Sequence, residues 1–267
     1  MKKRDKGLTA ATAICAVAFG AYLLGTRMTA DHTPPVLTVP ETAIQTSVQA
    51  EDKNLLFGIQ AVDDRDGDIS DKVIMEDITG IFEENKITIT YAVFDKAGNV
   101  SRAQRTVEYT DYAPPKISLH APLIFRADTD FNIFSAVGAS DLLDGNLTGH
   151  VRGTMATPGD RLEDPGMHQV EFHVTNSLGD TVRLTLPVEV TELGHTQNDP
   201  LLTNYLVYRK VNTPFDPLIY IAGESKGRAM VVTSQVNIEK PGTYTVDYVD
   251  QRGEEYGKTR LIVVVEE

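Results

Sequence analysis

Three stretches of this chain alternate apolar and polar side chains with a period of two. Ile89, Tyr91 and Val93 alternate with Thr88, Thr90 and Ala92. Val170, Phe172 and Val174 alternate with Glu171, His173 and Thr175, and Tyr244, Val246 and Tyr248 with Thr245 and Asp247. Successive side chains of a strand point to opposite faces, so the pattern predicts strands with one buried face. In each stretch a large residue (Val93, Val174, Tyr248) stands five positions ahead of a glycine: Gly98, Gly179 and Gly253. Glycine there supplies the positive φ of a tight hairpin turn. A second apolar stretch follows each turn, over 103–109, 182–190 and 259–265. The expectation is three hairpins, each closing a β domain.

Repetition at a fixed offset supports this division. Pro34-Pro35 recurs as Pro114-Pro115, 80 residues on. The segment Asp63-Asp64-Arg65-Asp66-Gly67-Asp68 recurs in altered form around Asp141, Asp144, Gly145 and Asn146, and Gly67 to Gly145 is 78 residues. The turn Asp95-Lys96-Ala97-Gly98-Asn99 recurs as Asn176-Ser177-Leu178-Gly179-Asp180, and Gly98 to Gly179 is 81 residues. A third copy keeps only the closing hairpin around Asp250-Gln251-Arg252-Gly253-Glu254. Short strands broken by Gly, Pro, Asn and Asp, with sparse helical signals, read as all-β: tandem immunoglobulin-like β-sandwiches after one N-terminal helix. The expected organisation is a basic tail over 1–6, an apolar anchor over 7–26, and domains over 33–112 and 113–192. A linker over 193–204 and a divergent third domain over 205–267 complete it.

The proline-pair opening, the Asp-rich Gly67 segment and the Tyr91-x-Val93-x-Asp95-x-x-Gly98-Asn99 hairpin resemble the bacterial Ig-like repeat called DUF5011. The same repeat is known from certain pesticidal crystal proteins and is close to HYR-type repeats. The resemblance runs along nearly all of residues 34–109. It weakens in the second domain at Leu142, Leu143 and Asn176, and the third domain lacks the acidic turn. It implies a β-sandwich found on surface and secreted bacterial proteins as stalk, adhesive or accessory units, and it implies no single activity.

The N-terminus carries Lys2, Lys3, Arg4 and Lys6, and then no charge from Gly7 to Thr26. About 20 such residues at ~1.5 Å each match a ~30 Å hydrocarbon core. The basic cluster would stay on the cytoplasmic side. The expectation is a single-pass signal anchor in the cell membrane with the later domains outside. A cleaved, secreted form is the alternative, although its best cleavage point after Ala30 has the bulky Met28 in the small-residue position.

Composition narrows the partners. The formal net charge is −13, the sign opposite to the one that attracts phosphate backbones, so no nucleic-acid partner is expected. The single cysteine, Cys15, lies in the apolar N-terminal run, so no disulfide joins the sheets of any domain.

The densest chemistry is acidic. Asp63, Asp64, Asp66 and Asp68 crowd around Gly67, and Asp95 lies in the next hairpin turn. Ca²⁺ takes six to eight oxygen ligands, and carboxylates at close spacing suit it. These five are the candidate Ca²⁺ ligands, although an EF-hand is excluded because its first and last ligand positions would be Val62 and Val73. A solvated turn whose aspartates cap backbone N–H groups explains the same pattern, and both readings stand. Asp141, Asp144 and Asn146 form a depleted version. No nucleophile elbow, phosphate loop or dinucleotide fingerprint is present, and no enzyme is expected. The expected function is a tethered bacterial surface protein whose repeats act as a stalk and as a module binding an extracellular or envelope protein or glycan. An accessory subunit of an envelope assembly or secretion complex, and a hydrolase on a sandwich scaffold, are the alternatives.

Overall fold

The computed structural model describes residues 15–22, 31–80, 85–192, 198–228, 230–252 and 255–267. The chain divides into two compact units, with the division between Thr110 and Asp111.

The expected membrane span is corrected here. Of residues 7–26, only 15–22 are described, and they form a short helix. The rest of the expected span lies outside the described residues. No helix among the described residues is long and apolar enough to span a membrane. The run is diluted by Ala, Gly and Thr, and the single-pass placement expected from it is not supported by the fold.

Among the described residues the first unit holds seven strands: β1 (Val36–Thr38), β2 (Ile44–Thr46), β3 (Gln60–Asp63), β4 (Gly67–Asp68), β5 (Ile74–Gly80), β6 (Lys86–Phe94) and β7 (Val100–Tyr109). They form two sheets, ordered β1-β3-β4 and β2-β7-β6-β5. The expected hairpin is the β6–β7 pair, with Val93 opposite Ser101 and Phe94 opposite Val100. Ile87, Ile89, Tyr91 and Val93 are buried together with Ala61, Ile69 and Val107, as the alternation requires. Tyr91 donates its hydroxyl to the Leu55 carbonyl at 2.8 Å. Arg105, itself buried, ties two loops by donating to the Thr42 and Phe57 carbonyls, each at 3.0 Å.

The second unit begins with a sandwich of the same plan. Its strands are β8 (Lys116–Leu119), β9 (Ile124–Arg126), β10 (Val137–Asp141), β11 (Gly145–Asn146), β12 (Arg152–Met155), β13 (Gly166–Thr175) and β14 (Thr181–Thr191). The sheets run β11-β10-β8 and β12-β13-β14-β9. Gly98 and Gly179 both take the left-handed backbone expected of the hairpin turns, with φ of 91° and 88°. Among the described residues the third repeat contributes a single sheet, ordered β15-β18-β17-β16, from β15 (Leu206–Lys210), β16 (Val231–Ser234), β17 (Gly242–Arg252) and β18 (Glu255–Glu266). In all three four-stranded sheets the first strand lies parallel to the last, which pairs in turn with its hairpin partner.

β18 explains why the third repeat needs no second sheet of its own. Leu261, Val263 and Val265 face one apolar cluster with Tyr220, Val246 and Tyr248. Ile262 and Val264, on the opposite face, join Leu206 in the core of the preceding sandwich, beside Ile117, Val137 and Leu186. Polar links cross the same seam. Lys258 Nζ lies 2.8 Å from both Glu189 carboxylate oxygens, and Tyr208 donates to the Ile117 carbonyl at 2.9 Å. The second and third repeats therefore share a core.

Candidate functional site

The structure draws two of the five candidate ligands together and adds one that the sequence pattern did not single out. Asp63 ends β3, Asp95 follows β6, and Asp31 lies just ahead of β1. One carboxylate oxygen from each falls within 4.8 Å of the others. Asp64 is exposed and stays outside this group. Asp66 turns to the hairpin instead: it accepts from the Lys96 backbone N–H at 2.7 Å and from Lys96 Nζ at 2.9 Å, and these contacts hold its carboxyl below the usual carboxylate range. Asp68 caps Ser70, accepting from its N–H at 3.0 Å and its hydroxyl at 2.6 Å, which also lowers its pKa. Local turn chemistry thus accounts for Asp66 and Asp68.

The three gathered aspartates are set differently. Asp63 is buried, at 4% exposure. Its Oδ1 accepts from the Arg65 and Asp66 backbone N–H groups at 3.0 and 2.7 Å. Its Oδ2 is buried with no hydrogen-bond partner. Asp95 is also buried, and burial pushes its carboxyl up. Hydrogen bonds from the Asn99 side chain and from the turn backbone outweigh that and leave it below its ordinary value. Asp31 accepts from the Thr33 N–H at 3.0 Å, and Arg65 Nε stands 3.5 Å from its Oδ2. Asn99 Nδ2 reaches the Asp31 and Thr33 carbonyls at 3.4 and 3.3 Å, and the Ser101 hydroxyl donates to the Pro35 carbonyl. Residues 31–35 are thereby strapped along the start of β7. The available signal for Asp31 was an acid three residues ahead of the proline pair, a position that the clustering around Gly67 overshadowed.

The corresponding corner of the second sandwich is closed differently. Asn176 stands where Asp95 does. Its Nδ2 donates to Asp141 Oδ2 at 3.2 Å and to the Tyr112 hydroxyl at 3.0 Å, and its Oδ1 accepts from the Leu178 and Asp180 N–H groups. Tyr112 donates onward to Asp180 Oδ2 at 2.6 Å. Burial, with the Asp180 carboxylate, pushes the Tyr112 phenol far up. Asp144 accepts from the Ser177 N–H and hydroxyl, each at 2.7 Å, as Asp66 does from Lys96. The histidines give no ligand pair here: buried His168 engages Asp160 and the Asp164 carbonyl, each at 2.8 Å, while His173 lies on the other face of β13.

A second feature of this sandwich is a groove of about 470 Å³ beside β12, lined in part by Asp130, Phe131, Phe134, Thr154, Met155 and Glu163. Asn132 caps the turn before β10, accepting from the Phe134 N–H at 3.0 Å. Phe134 packs edge-on against buried Phe172 at 6.1 Å while 39% of it stays exposed. Phe131 stacks on Phe125 at 4.8 Å. Gly153 makes room for this arrangement, because a Cβ there would sit 3.3 Å from the Phe134 ring.

No family model and no curated protein matches this chain. Similar solved structures include distant likenesses. The CBM51-2 domain in complex with GlcNAc, with INT domains, of Clostridium perfringens ZmpB is 16% identical over 56% of this chain and 26% of its own, at a TM-score of 0.23. The protocadherin gamma B2 extracellular cadherin domains 1–5 are 11% identical over 88% of this chain and 60% of their own, at 0.22. The lipoprotein BT2262 of Bacteroides thetaiotaomicron is 12% identical over 85% of this chain and 98% of its own, at 0.21. This chain thus spans about a quarter of the first of these. Likenesses at these scores assign nothing, and the all-β architecture rests on the chain's own sheets.

The two features offer different chemistry. The acidic corner presents oxygen ligands only, which suits a hard cation. The groove presents a fixed aromatic face beside carboxylates and hydroxyls. An aromatic face packs against apolar C–H surface, and the carboxylates accept hydrogen bonds from hydroxyl donors.

Proposed function

We propose that this chain is a non-catalytic β-sandwich module that binds a glycan in the groove beside Phe134. One observation carries the reading: a half-exposed Phe134 ring, held in place by Phe172 beneath it and by the Asn132 cap behind it, faces a groove that also carries Asp130 and Glu163. A pyranose has the matching surface, with C–H groups on one face and hydroxyl donors around the rim. The volume falls in the range of small-ligand sites, roughly 300–1,000 Å³. The ring loses little freedom on binding, because its packing is already made. The resemblance of the repeats to bacterial Ig-like modules that serve as binding and accessory units points the same way.

The test is a glycan microarray probed with the full chain, followed by titration calorimetry on the glycans retained. Phe134→Ala should weaken binding at least tenfold. Phe57→Ala, which removes a ring that is 78% exposed on the first sandwich, should leave it unchanged. A wild-type chain that retains no glycan, or a Phe134→Ala variant that binds as the wild type does, rejects the reading in favour of a protein-binding surface.

A further inference from the structure

We propose that Asp31, Asp63 and Asp95 form a Ca²⁺ site that fastens residues 31–35 to the first sandwich. Two independent observations meet here. The first is the gathering of one oxygen from each of three carboxylates within 4.8 Å. Two oxygens on a single Ca²⁺ lie at most about twice its ~2.4 Å bond length apart, so this spacing fits a shared ion with little movement. The second is Asp63 Oδ2. Asp63 is 4% exposed, and its Oδ1 is already taken by two backbone N–H groups. Oδ2 is the oxygen left to serve the group, and it has neither a donor nor solvent. Buried carboxylate oxygens are otherwise satisfied, and a cation supplies what is missing.

The second sandwich shows what the same corner looks like when protein groups fill it. There the Asn176 amide donates to Asp141, which occupies the place of Asp63, and to the Tyr112 hydroxyl, which donates on to Asp180. An amide and a phenol supply the donors. The first corner has a carboxylate, Asp95, in place of the Asn176 amide and leaves Asp63 Oδ2 without a donor.

The donor set selects the ion. Carboxylates alone suit a hard cation rather than Zn²⁺. Mg²⁺ needs shorter bonds of about 2.0–2.1 Å in strict octahedral geometry, so the three carboxylates would have to draw closer. The carbonyls of Asp31 and Thr33, which Asn99 holds beside the group, and water are further oxygens available to fill a Ca²⁺ shell. Arg65, 3.5 Å from Asp31, is the competing charge. Its side chain is half-exposed and can swing outward when the ion enters.

Full-length chain, freed of metal with EDTA, is titrated with CaCl₂ by calorimetry and by thermal unfolding. Wild type should bind with a unit stoichiometry that Asp63→Asn removes, and its melting midpoint should rise by several degrees. Asp63→Asn keeps the size and the Oδ1 acceptor of Asp63, so its circular dichroism should match wild type in EDTA. Arg65→Gln should bind at least as tightly as wild type. Asp141→Asn, in the corner already closed by hydrogen bonds, should bind as wild type does. Absence of binding by wild type at millimolar Ca²⁺, or binding by Asp63→Asn equal to wild type, overturns the proposal. Neither readout depends on the groove or on any glycan.

Discussion

The corners of the two complete sandwiches are built on the same backbone plan, yet they handle charge in opposite ways. In the first, Asp31, Asp63 and Asp95 converge and leave a buried oxygen without a donor. In the second, Asn176, Tyr112 and Asp180 close a hydrogen-bonded ring, and the Asn176 amide also donates to Asp141. A single change from acid to amide at the hairpin turn reverses the role of the position. The carboxylate can only accept, whereas the amide donates with one end and accepts with the other. Repeats of one fold can therefore hold the same joint either with a bound ion or with the chain's own groups.

The contrast can be broken most strongly at Asn176. Asn176→Asp removes both amide donors and places a third carboxylate beside Asp141 and Asp180. In EDTA it should destabilise the second unit by about 2–4 kcal/mol, read from chemical denaturation. Added Ca²⁺ should restore part of that loss if the acid set makes the site. Tyr112→Phe should have a smaller effect. It removes a hydroxyl that donates to Asp180 and accepts from Asn176, for about 1–2 kcal/mol, with no response to Ca²⁺.

The smallest effect concerns pH. The Asp95 carboxyl is held below its ordinary value of 3.8, and Asn176 has no proton to gain. A depressed carboxyl contributes stability that is present above the unfolded value and is lost as pH falls through the folded one. In EDTA the first unit's melting midpoint should drop below about pH 4, and the drop should be shallower in Asp95→Asn.

Much of the sheet structure was legible because a strand with one buried face must alternate. Ile89, Tyr91 and Val93 point inward as their spacing requires, and so do Val170, Phe172 and Val174. The shared core of the second and third repeats follows from a different pattern. Leu261 to Val265 is an unbroken apolar run, the mark of a strand covered on both sides, and β18 is buried on both faces. The acidic site was half legible. Clustering around Gly67 pointed to the right turn, but Asp66 and Asp68 are occupied by Lys96 and Ser70, which periodicity cannot show. Asp31 arrives from a segment far away in the chain, through the pairing of β1 with β3. At the N-terminus an uncharged run suggested a span, but its Ala, Gly and Thr content is no guarantee of one, and the described helix covers only 15–22.

The most direct test of the account is a crystal structure of the full chain grown in millimolar Ca²⁺. The account predicts an ion about 2.3–2.6 Å from oxygens of Asp31, Asp63 and Asp95, while Asn176 keeps its hydrogen bond to Asp141 and no ion enters that corner. Water or the Arg65 guanidinium filling the first corner, or ions in both corners alike, would contradict it.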